Sequence, residues 1–152
     1  MVGVDGSEGS KDALRWAVRQ AGFTGATVRA VIAWQYPAFF GWVPVAPDDG
    51  GYPQIAEQTL ASTLAEVMGP ESQARVQARV VEGYAGQILT EASADAELLV
   101  VGSRGYGAFA DALLGSVSTY CVHHAHCPVT IIRPGGHAHR DSPELAARST
   151  VG

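Results

Sequence analysis

The stretch from Val100 to Val117, VVGSRGYGAFADALLGSV, carries Gly102, Gly105 and the pair Gly115-Ser116 in the spacing G-x2-G-x9-G-S. An apolar run, Leu98 to Val101, leads into it, and Val117, Cys121, Val122 and Ala125 follow at helical spacing. The order is strand, glycine loop, helix. Glycines at the carboxyl end of a strand let backbone N–H groups come close to a ligand. A helix starting near Ser116 adds free N–H donors and a partial positive charge. Phosphate binding fits that chemistry. Glycines also close ordinary strand-to-helix turns, so both readings stand on this stretch alone.

Taken in order, the chain opens with a strand fragment, Met1 to Asp5, that stops at Gly6, Ser7, Gly9 and Ser10. It is short, which suggests either a truncated first strand or a start inside a longer gene product. Ser7 or Ser10 can cap the next helix, where Leu14, Ala17, Val18 and Ala21 share a face and which Gly22 and Gly25 end. Thr27 to Ala33 is β-branched and apolar, as expected of a strand covered on both faces. Residues 34–52 form a long connection with Pro37, Pro44 and Pro47 and six aromatics, which suits packing on the domain, on a partner, or over a ligand. A helix from Pro53 turns Ala56, Leu60, Leu64, Val67 and Met68 inward until Gly69-Pro70 stops it. The third strand, Ala74 to Val81, alternates Val76, Ala78 and Val80 with Arg75, Gln77 and Arg79, the pattern of a sheet edge with one wet face. After Gly83 and Gly86 come a short helix with Ile88, Leu89 and Ala92, the strand Leu98 to Val101, the glycine loop with its helix, and a last strand, Pro128 to Arg133. Residues 1–134 therefore read as one domain and 135–152 as a mobile tail without a periodic core.

Five strands alternate with four helices, which predicts an α/β fold with a parallel sheet and helices on both faces. In such folds ligands sit outside the carboxyl ends of the strands at the switch point. If strands one and four are neighbours there, Asp5 and the Gly102 loop line one crevice. A carboxylate facing a phosphate loop is a metal–nucleotide arrangement, since Asp5 can hold Mg2+ or a ribose hydroxyl while N–H groups bind phosphate oxygens.

Charge and composition narrow the possible partners. A formal net charge of -5 leaves no general basic attraction for nucleic acid. No apolar run reaches the ~18 residues needed to span a bilayer, and no signal peptide is legible. Two cysteines, Cys121 and Cys127, suit a reducing compartment. The expectation is a cytoplasmic protein with no membrane and no nucleic-acid partner.

With both ends of the crevice placed, the chain resembles a universal stress protein domain over residues 1 to about 134. The resemblance rests on VGVDGSEGSKDALRWA, VIAW, LLVVGSRGYGAFADALLGSVS and HCPVTIIR. It implies a Rossmann-like, adenine nucleotide alpha hydrolase-like fold, with five parallel strands in the order 3-2-1-4-5. Frequent homodimers and, in members with the glycine motif, ATP binding are also implied. Carried onto this sequence, Asp5 meets the ribose or the metal and Ala33 borders the adenine. Val101 and Gly102 flank the nucleoside, Gly105 approaches the phosphates, and Gly115, Ser116 and Val117 bind them. With their neighbours Val4, Ser7 and Arg104 these form the candidate binding set, and Asp5 is the candidate Mg2+ ligand.

There is no G-x4-G-K-[ST] loop, and Gly3, Gly6 and Gly9 do not give G-x-G-x-x-G. The run Cys121, His123, His124, His126, Cys127 matches neither zinc spacing, and consecutive helical histidines diverge around the axis. Ser7 reads as a helix cap rather than a nucleophile. Arg104 points either to phosphate or to solvent.

The resulting expectation is an ATP-binding regulatory module that acts as a homodimer. Its contact is the last strand through Val129, Ile131 and Arg133, an edge with no Lys or internal Pro to block pairing. The alternatives are a slow ATP hydrolase or transferase on the same fold, or a nucleotide-free protein-interaction module. A phosphate cradle is legible, whereas a general base to activate water is not.

Overall fold

The computed structural model describes residues 1–36, 51–68, 76–106 and 113–134. The apolar runs form a five-stranded parallel sheet: β1 Val2–Gly3, β2 Val28–Trp34, β3 Val76–Glu82, β4 Leu99–Gly102 and β5 Val129–Ile132. Its order is β3-β2-β1-β4-β5, as the sequence led one to expect. Between the strands run α1 Glu8–Thr24, α2 Tyr52–Val67, α3 Ala85–Ala92 and α4 Ser116–His124, with a 3-10 turn at Ser93–Asp95.

Strand alternation divides the core in two. On one face Val2, Val4, Ala30, Ile32 and Val100 pack against Ala13, Leu14 and Ala17 of α1 and Ala56 and Leu60 of α2. On the other, Val31, Leu99 and Val101 pack against Leu89 of α3 and Cys121 of α4. Leu14 and Leu99 are completely buried. Burial of that kind stabilises by ~1.5 to 3 kcal/mol per side chain.

The start of α1 is fixed by Ser7, whose hydroxyl accepts from the Ser10 N–H at 3.3 Å, and its end by Gly25 in the left-handed region at φ 73°. Between the caps, α1 lies unusually close to the sheet. A Cβ on Gly9 would come within 2.7 Å of the Arg104 carbonyl oxygen, and one on Gly102 within 2.7 Å of the Gly9 carbonyl carbon. The first turn of α1 and the end of β4 therefore meet backbone to backbone. Lys11 then ties α1 to α2, reaching Glu66 at 2.7 Å and Glu8 at 2.9 Å, and these carboxylates push its pKa up to about 12.

Three local expectations need correction. Gly22 does not end α1, which runs on to Thr24 and its αL cap at Gly25. Ala78 is exposed, although Val76 and Val80 on the same side of the edge strand β3 pack against the first cluster. Val122 is 51% exposed rather than inward. It stands about 100° around the axis from Cys121, which α4 buries. The helix stop at Gly69-Pro70, the strand start at Ala74, most of the 34–52 connection and the tail lie outside the described residues. No helix among the described residues is long and apolar enough to cross a membrane.

Candidate functional site

The sheet order places β1 beside β4 at its centre. The crossover leaving β1 runs through α1 on one face, and the one leaving β4 runs through α4 on the other. The strand ends part there and leave a crevice. A cavity of about 360 Å3 occupies it, within the range of roughly 300 to 1,000 Å3 typical of small-molecule sites. Its lining includes the apolar Val31, Ala33, Leu89, Val101 and Val117. It also includes Asp5, Arg104 and the start of α4.

Asp5 is held in place before any ligand arrives. Its Oδ1 accepts the Ser7 N–H at 2.9 Å and the Ser7 hydroxyl at 2.5 Å, while the Asp5 N–H donates to Ser10 Oγ at 3.3 Å. The local sequence D-G-S allows this because Gly6 adopts φ +85°, a left-handed turn that brings Ser7 back over the carboxylate. Across the crevice, the Tyr106 N–H donates to Asp5 Oδ2 at 3.2 Å. Gly105 lies so close that a Cβ there would overlap Oδ2.

The start of α4 is tied to the end of β4. Ser118 donates its hydroxyl to Ser103 O at 3.0 Å and Gly115 O at 2.9 Å, and the Gly115 N–H donates to Ser103 O at 2.8 Å. The first intrahelical bond is Thr119 N–H to Gly115 O at 2.9 Å. By helix geometry the Ser116, Val117 and Ser118 N–H groups have no partner within the helix, and these three residues line the cavity at the positive end of the dipole.

The cavity wall includes Val4, Asp5, Ala33, Val101, Gly102, Arg104, Gly105, Gly115, Ser116 and Val117 of the sequence-derived set. Ser7 is not in the wall but bonds to Asp5, as cap and orienting residue. Two of these glycines also make room within the protein. Gly102 makes room for Gly9 of α1, and Gly105 makes room for the Asp5 carboxylate. Gly115 is extended (φ -74°, ψ 167°), and its N–H is already engaged. Sequence reasoning missed Ser10, Leu89, Tyr106 and Ser118. Ser10 was visible as a possible cap and Tyr106 as the neighbour of Gly105. Leu89 reaches the site from another crossover, which linear order does not reveal.

The histidine and cysteine run lies at the far end of α4. His123 and His124 are exposed, and the His124 ring stacks on Tyr120 at 4.2 Å between centroids. Burial pushes the Cys121 thiol up to about 11, so it stays protonated near neutrality. Trp34, Tyr36 and Tyr52 form two successive edge-to-face contacts at 5.2 and 5.6 Å beyond Ala33.

The cavity thus combines apolar side chains with a carboxylate, an arginine and the start of a helix. The family described as Universal stress protein family matches residues 1–133. Universal stress protein Rv2624c of Mycobacterium tuberculosis is 32% identical over 136 residues, covering 88% of this chain and 47% of that protein. The chain thus spans about half the length of the curated relatives it matches. Among solved structures, a universal stress protein in complex with cAMP has a TM-score of 0.60 and 27% identity, covering 86% of this chain and 93% of that one. Universal stress protein UspA from Lactobacillus plantarum shares the fold with a TM-score of 0.67 at 21% identity, covering 87% and 96% of the two chains.

Proposed function

The chain belongs to the universal stress protein family, and on that premise we propose that it is an ATP-binding regulatory module working as a homodimer. The observation that carries the reading is the crevice between β1 and β4, where Asp5 and the start of α4 line one cavity together with Val31, Ala33, Leu89 and Val101. An adenine nucleotide has the matching order of parts. Its base lies against Val31, Ala33, Leu89 and Val101, its ribose reaches Asp5, and its phosphates meet Ser116 and Val117 with Arg104 beside them. The complex of a 27% identical relative with cAMP supports the same ligand class.

Asp5 is the only carboxylate in the cavity wall among the described residues, and two Ser7 donors already use one of its oxygens. Mg2+ therefore fits as an ion held chiefly by phosphate oxygens and water, with Asp5 as its one protein ligand, which is the usual habit of this cation beside polyphosphates. It would neutralise charge that a single arginine and a helix dipole leave uncompensated.

Dimerisation is proposed through β5. Leu99 N–H bonds to Pro128 O at 3.0 Å and Ser103 N–H to Ile132 O at 2.7 Å, so the main-chain groups of Val129, Ile131 and Arg133 face away from β4. Among the described residues no strand pairs with that edge, which suits pairing with a second copy of itself.

Native mass spectrometry of gently purified protein tests the ligand. A retained mass equal to ATP, lost on dialysis against a chelator, is expected. A protein that stays at its bare mass after incubation with millimolar ATP and Mg2+ contradicts the reading.

A further inference from the structure

Tyr106 is 77% exposed, yet it bridges two loops that lie a hundred residues apart. Its hydroxyl donates to Gly6 O at 3.2 Å, and its N–H donates to Asp5 Oδ2 at 3.2 Å. A Cβ on Gly6 would lie 3.6 Å from Cε2 of the ring, so the phenol rests on the left-handed turn that shapes Asp5. Gly105 meanwhile covers Oδ2 from the loop side. The oxygen of Asp5 that Ser7 leaves available is thus taken up by the loop's own backbone. A ligand hydroxyl bound to this oxygen competes with Gly105 and Tyr106 for the same side of the carboxylate.

We propose that Gly105–Tyr106 is a strap, fastened at Gly6 and at Asp5, that closes the mouth of the cavity and must release both bonds before a ligand enters. The ligand's hydroxyl then replaces the Tyr106 N–H on Oδ2, so the strap stays off while the site is filled. The exchange swaps one hydrogen bond for another, and the phenol–Gly6 bond sets how rarely the strap opens. Tyr106 is in this sense a positioning residue, acting through Asp5. The proposal rests on the nucleotide reading for the identity of the ligand but not for the strap itself.

Tyr106→Phe removes the fastening at Gly6 and leaves the backbone N–H in place, with little risk to folding at so exposed a position. In the ligand-free protein, hydrogen exchange at the residue 106 amide should quicken by about 2- to 10-fold, the effect of losing one neutral hydrogen bond. Stopped-flow binding of 2-aminopurine riboside triphosphate should show association faster by a similar factor and dissociation unchanged. Unchanged amide exchange overturns the strap. So does a variant whose dissociation rises while association stays constant, because the strap would then hold bound ligand rather than bar entry. If the wild type does not bind the triphosphate at all, the nucleotide reading fails, and the exchange measurement still decides the strap.

Discussion

At the scale of single residues, the three glycines of the loop differ in what they make room for. A methyl at Gly105 would overlap the Asp5 carboxylate, whereas one at Gly115 would lie 3.5 Å from its nearest neighbour, Arg104 Cα, an ordinary contact. Gly105→Ala should therefore disfavour the loop's closed position on Asp5 and bind ATP at least as tightly as wild type, while the melting temperature changes little at this exposed position. Gly115→Ala should bind within about twofold of wild type. Titration of both variants distinguishes this from a motif in which every glycine serves the phosphates, where both would fail together. Ser116 is placed to offer hydroxyl and N–H together at the helix start. A hydrogen bond to a charged group is worth ~1.5 to 3 kcal/mol, so Ser116→Ala should cost about ten- to a hundredfold in affinity with the far-ultraviolet circular dichroism preserved.

At the scale of elements, the crossing of α1 over the end of β4 sets the site. Gly102→Ala puts a methyl into the Gly9 backbone, where no flexible side chain can yield. Overpacking of that kind costs typically 1 to 3 kcal/mol and should appear as a lower melting temperature even without ligand. The turn after α3 is fastened by Arg29, whose two terminal nitrogens reach Asp95 at 2.7 and 3.1 Å and hold that carboxyl below its ordinary pKa of 3.8. A lowered folded-state pKa contributes stability above the unfolded value and loses it as pH falls through the folded one. Asp95→Asn should consequently lower the melting temperature at pH 7 and make progressively less difference below about pH 4, as a pH series of melts would show. The strand order and the facing of Asp5 and Gly102 were legible because alternating β-rich and helical runs admit few topologies. Helix faces were less so. Val122 follows the apolar period as well as Cys121 does, but a nine-residue helix buries only a narrow line. Contacts such as Gly9 with Gly102, or Tyr106 with Gly6, were not legible at all. A sequence shows that a backbone can be approached closely, not which other backbone approaches it.

At the scale of the whole molecule, the account joins a ligand crevice at the sheet centre to an open strand at its edge. Ile131→Pro removes an N–H that points away from β4, leaving the β4–β5 ladder its own bonds. Sedimentation velocity at micromolar concentration should then find monomer where wild type gives dimer, with circular dichroism as the folding control. Everything, however, depends on the crevice holding a nucleotide. Isothermal titration of protein first freed of ligand, with ATP in the presence of Mg2+, tests this most directly. The account predicts saturable binding of one ATP per chain, weakened when Mg2+ is withheld and about ten- to a hundredfold weaker in Ser116→Ala. A folded, ligand-free protein that gives neither heat nor thermal shift at millimolar ATP with Mg2+ would contradict it.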